Sequence, residues 1–133
     1  MADKSLEKKK FEALKWGKQA ENIVCDYLIS KGYTVRERNW RPKTSKSEID
    51  LIAQKEDTLI FVEVKARSDK DQDPAEAMTA EKIRNVVRGA NSYLMKQEYD
   101  YYYRFDVATV NGNAEDYKLD YLEDAFLPPL RTR

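Results

Sequence analysis

Apolar residues return at helical spacing from about Leu6 to Ser30, where Ala20, Ile23, Val24, Tyr27 and Leu28 make one stripe and Gly32 gives a stop signal. The first element is therefore predicted to be an amphipathic helix. Tyr33 to Arg38 then reads as a short strand. Further on, the period falls to two. From about Glu48 to Gln54, Ile49, Leu51 and Ala53 share one face and Glu48, Asp50 and Ile52 the other. From Leu59 to Ala66, Ile60, Val62, Val64 and Ala66 form a wholly apolar face. The opposite face runs Leu59, Phe61, Glu63, Lys65, Arg67, beginning as core and ending as a row of charges. Lys55-Glu56-Asp57-Thr58 supplies turn chemistry between the two strands.

A second helix is expected from about Thr79 to Gln97, with Ile83, Val86, Val87, Ala90, Tyr93 and Leu94 inward. Tyr99 to Tyr103 is tyrosine-rich, suited to base stacking or to packing before a last core strand, Arg104 to Val110. Asp69 to Pro74 is a loop too charged to bury, and Pro128-Pro129 ends the folded region. The order αβββαβ predicts an α/β domain with a central mixed β-sheet flanked by helices. One domain spans 1–133, with 1–10 as a charged N-terminal tail and 127–133 as a C-terminal tail.

The charges inside the two strands carry the chemistry. If the turn closes symmetrically about Glu56 and Asp57, residues whose numbers add to 113 face each other, pairing Asp50 with Glu63 and Glu48 with Lys65. Directly opposed residues have Cβ atoms about 4.5–5.5 Å apart, and like charges there are destabilising. A divalent cation reverses that sign, and Mg²⁺ prefers one or two carboxylates with water and phosphate oxygens. A one-residue slip in register would turn Asp50 away. The Glu-x-Lys triplet alone is uninformative, since Glu7-x-Lys9 repeats it. An edge strand decorated with charge against aggregation would look similar.

Histidine is absent, which removes Ser-His-Asp and Cys-His nucleophilic systems, histidine-ligated zinc and histidine acid–base catalysis. Catalysis must then use carboxylates, Lys, Tyr or a metal. The single Cys25 leaves neither an internal disulfide nor a cysteine zinc site, and packing is its expected role. The net charge is zero but uneven: residues 1–46 hold 12 Lys+Arg against 6 Asp+Glu, and residues 105–133 hold 3 against 6. A basic front is compatible with nucleic acid, or with a solvated tail. No stretch approaches the ~20 apolar residues of a spanning helix, so no membrane is expected and the cytoplasm is the expected location.

An acid on one strand followed by Glu-x-Lys on the next resembles the core of the PD-(D/E)XK nuclease superfamily, the restriction-endonuclease-like fold. More closely, Glu48-Ile49-Asp50-Leu51-Ile52-Ala53 and Phe61-Val62-Glu63-Val64-Lys65-Ala66-Arg67 resemble the YraN family of small bacterial proteins, which are similar to archaeal Holliday junction resolvases. The likeness extends through Gly17 to Glu21, Tyr27-Leu28, Gly32-Tyr33, Asn39, Arg41, Lys82, Ala90, Tyr93-Leu94, Arg104-Phe105-Asp106 and Leu122 to Phe126. Ser47 and Ala20 stand where that family usually has glycine.

The resemblance implies a metal-dependent endonuclease. Asp50 and Glu63 would hold Mg²⁺, or Mn²⁺ in its place, with the Val64 carbonyl. Lys65 would orient or activate the attacking water, and Glu21 would complete the acid cluster. Glu48 is an accessory candidate, pairing with Lys65. Branched DNA is the implied partner, and symmetrical cleavage of a four-way junction favours a homodimer. Arg41, Lys43 and Lys46, in the loop before the acidic strand, together with Arg67 and Lys82, are the candidate phosphate contacts. A plain surface loop, with Trp40 folded onto the core, explains 39–46 equally, and a solvated helix face explains Arg84 and Lys96 equally. A non-catalytic DNA-binding or adaptor module with the same fold, and a metal-dependent RNase, are the alternatives.

Overall fold

The computed structural model describes residues 4–43, 45–68 and 78–126. The expected loop at 69–74 and tail at 127–133 lie outside the described residues. Lys4–Ser30 form α1, which already includes residues 4–10 of the charged N-terminal stretch. It ends where Gly32 adopts φ +90°, a left-handed turn that a Cβ would oppose, and Tyr33 N–H returns to Leu28 O at 3.0 Å. Three antiparallel strands follow: β1 (Thr34–Trp40), β2 (Ile49–Lys55) and β3 (Thr58–Arg67). Helix α2 (Ala80–Met95) then crosses over, as a parallel neighbour requires, to β4 (Tyr102–Gly112) beside β3. Thr79 caps α2, its Oγ1 accepting from Lys82 N–H at 3.2 Å.

The α/β class and the mixed sheet between helices are as expected, with one strand added. Tyr117–Leu122 form β5, antiparallel to β4, so the order is αβββαββ in a five-stranded sheet β1-β2-β3-β4-β5. Its alternation Tyr117, Leu119, Tyr121 follows the turn residues at 112–116, but an edge strand this exposed carries a weak apolar signal. Among the described residues no helix is long and apolar enough to cross a membrane.

Each sheet face has its own core. On the α1 side, Ala20, Val24 and Leu28 pack against Leu51, Ala53, Ile60, Val62, Ala108 and Val110. On the α2 side, Val86, Ala90 and Tyr93 pack against Ile49, Ile52, Leu59, Phe61 and Phe105. Burial of each large side chain contributes about 1.5–3 kcal/mol. β3, apolar on both faces through Val62, is the centre of both cores.

Strict alternation fails at Ile49. It was expected to share a face with Leu51 and Ala53, yet it packs with Ile52 on the α2 side. The β2–β3 ladder stops at Leu51–Val62, and Ile49 is paired only with Trp40 of β1, so the strand start is free to turn. Helix α2 comes close enough to hold it there because residue 89 is glycine. A Cβ on Gly89 would lie 3.2 Å from Ile49 Cδ1. Gly89→Leu is therefore expected to lower stability by about 1–3 kcal/mol through overpacking, measured by urea denaturation; unchanged stability would mean that this contact does not set the helix position.

Candidate active site

The site is built where β2 parts from β3. From Lys55–Thr58 to Leu51–Val62 every paired residue number adds to 113, the register of a symmetrical turn. Glu56 makes the turn with φ 55°. Beyond Leu51 a side chain takes over from the ladder, with Asp50 Oδ2 accepting the Val64 N–H at 2.8 Å. A strand residue turns its N–H and C=O to the same side, so the Val64 carbonyl faces this fork as well. The Glu63 carboxyl lies within hydrogen-bonding reach of Asp50. Asp50 and Glu63 are thus brought together as the symmetrical register requires.

Burial dominates their electrostatics. It pushes Asp50 up to about 6, with Glu21 and Glu48 adding to the effect and the Val64 N–H opposing it. Burial, then the Asp50 charge, push Glu63 up to about 8, against the pull of Lys82. The protons belong to the pair, since the Asp50 charge raises Glu63 while the hydrogen bond between them lowers Asp50. Lys82 Nζ stands 4.0 Å from Glu63 Oε1, with the Glu63 side chain only 13% exposed. Lys82, a candidate phosphate contact, is therefore placed at the acid pair itself.

Glu21 reaches the same region from α1, but β1 holds it. Asn39 Nδ2 donates to Glu21 Oε1 at 3.1 Å, and Arg38 lies 3.8 Å from the same oxygen. Asn39 has φ 51°, a left-handed conformation that asparagine tolerates better than most residues. Its backbone role was the available signal for a residue that sequence reasoning assigned no function. Glu48 does not pair with Lys65. Its Oε1 lies 3.4 Å from Arg41 Nη2, because Glu48 precedes β2 and the ladder to β3 has already ended. Arg41, Lys43 and Lys46 are exposed in the loop before β2, and Arg67 is half-buried at the end of β3. Lys65, half-buried, shares the Glu63 face by the two-residue period. Thr109 is its neighbour in register on β4, and the buried Thr109 hydroxyl has no hydrogen-bond partner among the described residues. Thr109 is a second site neighbour that the sequence presented only as core.

Arg104-Phe105-Asp106 does not join this site. Asp106 is fully buried and accepts from Arg104 Nε at 2.8 Å and Nη2 at 2.9 Å, from the Tyr121 hydroxyl at 2.6 Å and from Asp124 N–H at 2.9 Å. Arg104 Nη2 also donates to the Tyr33 hydroxyl at 3.0 Å. Ala125 N–H bonds Phe105 O at 2.7 Å, and the Phe126 ring stacks on Phe105. The motif fastens β5 and the segment after it to the sheet.

Among the described residues no three Asp, Glu or Cys side chains converge to hold one ion. The protein donors available at the fork are therefore two carboxylates and a backbone carbonyl. That donor set fits Mg²⁺, which keeps several waters and takes one or two carboxylates. The upward shift of the pair, due first to burial, is also compatible with a cation, whose charge would favour the ionised carboxylates.

An acid pair at the parting of two strands, in a mixed sheet covered by a helix on each face, is consistent with the restriction-endonuclease-like class. The profile of a family described as "Uncharacterised protein family UPF0102" matches residues 20–110, a span containing Glu21, Asp50, Glu63, Lys65 and Asp106. The chain belongs to this family, the YraN family. A UPF0102 protein of Bacteroides thetaiotaomicron is 41% identical over 115 residues, covering 86% of this chain and 93% of its own. One from Phocaeicola vulgatus is 37% identical over 116 residues, 86% and 94% of the two chains. A third, from Clostridium perfringens, is 38% identical over 114 residues, 83% and 92% of the two chains.

Proposed function

We propose that this chain is a divalent-metal-dependent endonuclease that hydrolyses phosphodiester bonds in nucleic acid, with branched DNA such as a four-way junction as substrate and Mg²⁺ or Mn²⁺ as its ion. One observation carries the reading: two carboxylates, Asp50 and Glu63, are buried against each other at the strand fork and titrate well above their usual range. Such pairs gather at sites of chemistry. Asp50, Glu63 and the Val64 carbonyl would hold the ion, which when bound supplies charge neutralisation at the phosphate and promotes in-line attack. Lys65 Nζ would orient the attacking water or take its proton. Glu21, fixed by Asn39, would act on a metal-bound water and not as a third ligand of the same ion. Arg41, Lys43 and Lys46 offer phosphate contacts on the approach, with Glu48 steadying Arg41. Symmetrical cutting of a junction needs two such sites, hence a twofold dimer of this chain.

Lys82 favours a second reading. An internal ammonium beside Glu63 already neutralises part of the charge, as it would in a nucleic-acid-binding adaptor that keeps the fold without the reaction. A cleavage panel in Mg²⁺ and Mn²⁺ separates the two, using junction, flap, duplex and single-stranded DNA together with RNA. Asp50→Asn, Glu63→Ala and Lys65→Ala are each expected to abolish cleavage while the protein stays folded. Cleavage that persists in excess chelator sinks the metal mechanism. Cleavage of RNA alone makes the chain a ribonuclease, and binding without cleavage of any substrate makes it the adaptor.

A further inference from the structure

Away from the acid pair, one cleft combines cations, an aromatic ring and unfilled space. It lies between the first half of α1, the end of β3 and the turn from β4 to β5, with a volume of about 820 Å³. Lys9, Lys15, Arg67 and Trp16 line it, with Glu12 and Glu115 also at its walls. The surrounding helix surface is basic: residues 4–18 carry six lysines, all exposed, against two glutamates. Trp16 Nε1 donates to Arg67 O at 3.1 Å, fixing this part of the helix to the end of β3 two residues beyond Lys65. Glu21 is five residues further along α1, about 7.5 Å of helix rise. The cleft thus flanks the helix that carries Glu21 and the end of the strand that carries Glu63 and Lys65.

Gly17 lies along α1 between Trp16 of the cleft and Glu21. It shares the sheet-facing side of α1 with Ala13 and Ala20, and a Cβ built on it would meet no described atom within 4 Å. Glycine inside a helix costs about 1 kcal/mol relative to alanine. At Gly89 such a residue is explained by the close approach of Ile49, but no contact within the described residues explains Gly17. The open space beside Gly17 lies on α1 next to Trp16 of the cleft and about one turn before Glu21.

A volume of this size suits one or two nucleotides and not a double helix. A groove with cations for the phosphates and an aromatic wall for a base is how unpaired strands are held. We infer that this cleft binds an unpaired nucleic-acid strand beside the scissile bond, with phosphates against Lys9, Lys15 and Arg67, a base against Trp16, and the strand passing over Gly17. The inference rests on the nuclease reading and adds the form of the substrate, which is unpaired next to the position of cleavage.

Fluorescence anisotropy of the full chain tests it in chelator, where binding is read without cleavage. The probes are labelled oligothymidylate, oligouridylate and a blunt DNA duplex of equal length. Lys9→Glu combined with Lys15→Glu, and separately Gly17→Leu, should each raise the single-strand Kd about tenfold or more. Lys31→Glu combined with Lys55→Glu, an equal change of charge at the opposite end of α1, should leave it within about twofold. Gly17→Leu should melt no lower than the wild type, which separates a filled groove from a damaged fold. Tight binding of either single strand supports the cleft and its sugar preference names the strand. Equal losses from the two charge reversals, or stronger wild-type binding to the blunt duplex, overturn the cleft and leave the nuclease reading standing. No binding to any probe, together with no cleavage in Mg²⁺, ends both.

Discussion

Asp106→Ala is expected to cost about 3–5 kcal/mol of stability, the range for removing one partner of a buried ion pair. Asp106 is fully buried, and its loss strands several donors at once: both Arg104 nitrogens, the Tyr121 hydroxyl and the Asp124 N–H. In the wild type, burial, and then the Asp106 charge, hold the Tyr121 hydroxyl far above the usual tyrosine range, so it serves as a neutral donor to Asp106. Arg104, which the Asp106 hydrogen bonds raise further in the wild type, is a guanidinium that does not deprotonate in proteins, so it stays charged beside an emptied site. Urea denaturation of wild type, Asp106→Asn and Asp106→Ala measures the effect, and asparagine should fall between the other two. A loss below about 1 kcal/mol for alanine would mean that water replaces the carboxylate and that the network is not what fastens β5.

Without a divalent ion, stability is expected to fall as pH rises from about 4 to about 8. The folded Asp50–Glu63 pair holds protons that the unfolded chain releases near the ordinary carboxylate pKa of about 4. Where the folded state binds more protons, stability decreases with pH. The contribution is full below about pH 4 and gone above about pH 8, the level to which Glu63 is raised. On the proposed function Mg²⁺ should reverse this trend by binding the deprotonated pair, and at a hundredfold over its Kd it would add about 2.7 kcal/mol. Asp50→Asn keeps a carbonyl oxygen for the Val64 N–H and removes the repulsion. At about pH 8.5 it should raise apo stability by roughly 0.2–1 kcal/mol and lose most of the gain from Mg²⁺. Thermal melts across pH, in chelator and in millimolar Mg²⁺, read all of these together. If Asp50→Asn melts lower than wild type in chelator and both proteins gain equally from Mg²⁺, there is no shared ion site and Asp50 is structural.

The sequence was most informative where geometry is local. A symmetrical turn at Glu56-Asp57 dictates the register of its hairpin, and Asp50 and Glu63 meet because of it. The same extrapolation failed two residues further out. Glu48 pairs with Arg41 and Ile49 faces α2, because the ladder had ended and tertiary contacts decide orientation there. The Arg104–Asp106 network was visible as a motif but not as a structure, since its partners Tyr33, Tyr121 and Asp124 come from distant parts of the chain. β5 was hidden for the opposite reason: its alternation is plain, but its exposure keeps the apolar count low.

The placement of β3 has a kinetic consequence. Glu21, Asp50, Glu63 and Lys65 all lie before residue 68, on a helix and a short-turned hairpin whose pairing closes quickly. The strand that shields the far side of β3 arrives only after the connection from Arg67 to Tyr102 has been closed, a slower event of larger loop entropy. Until β4 docks, the edge of β3 that it will cover stays open to water. The chain thus brings these side chains together before their sheet is complete, so a partly made chain carries the residues of the site without the finished fold around them.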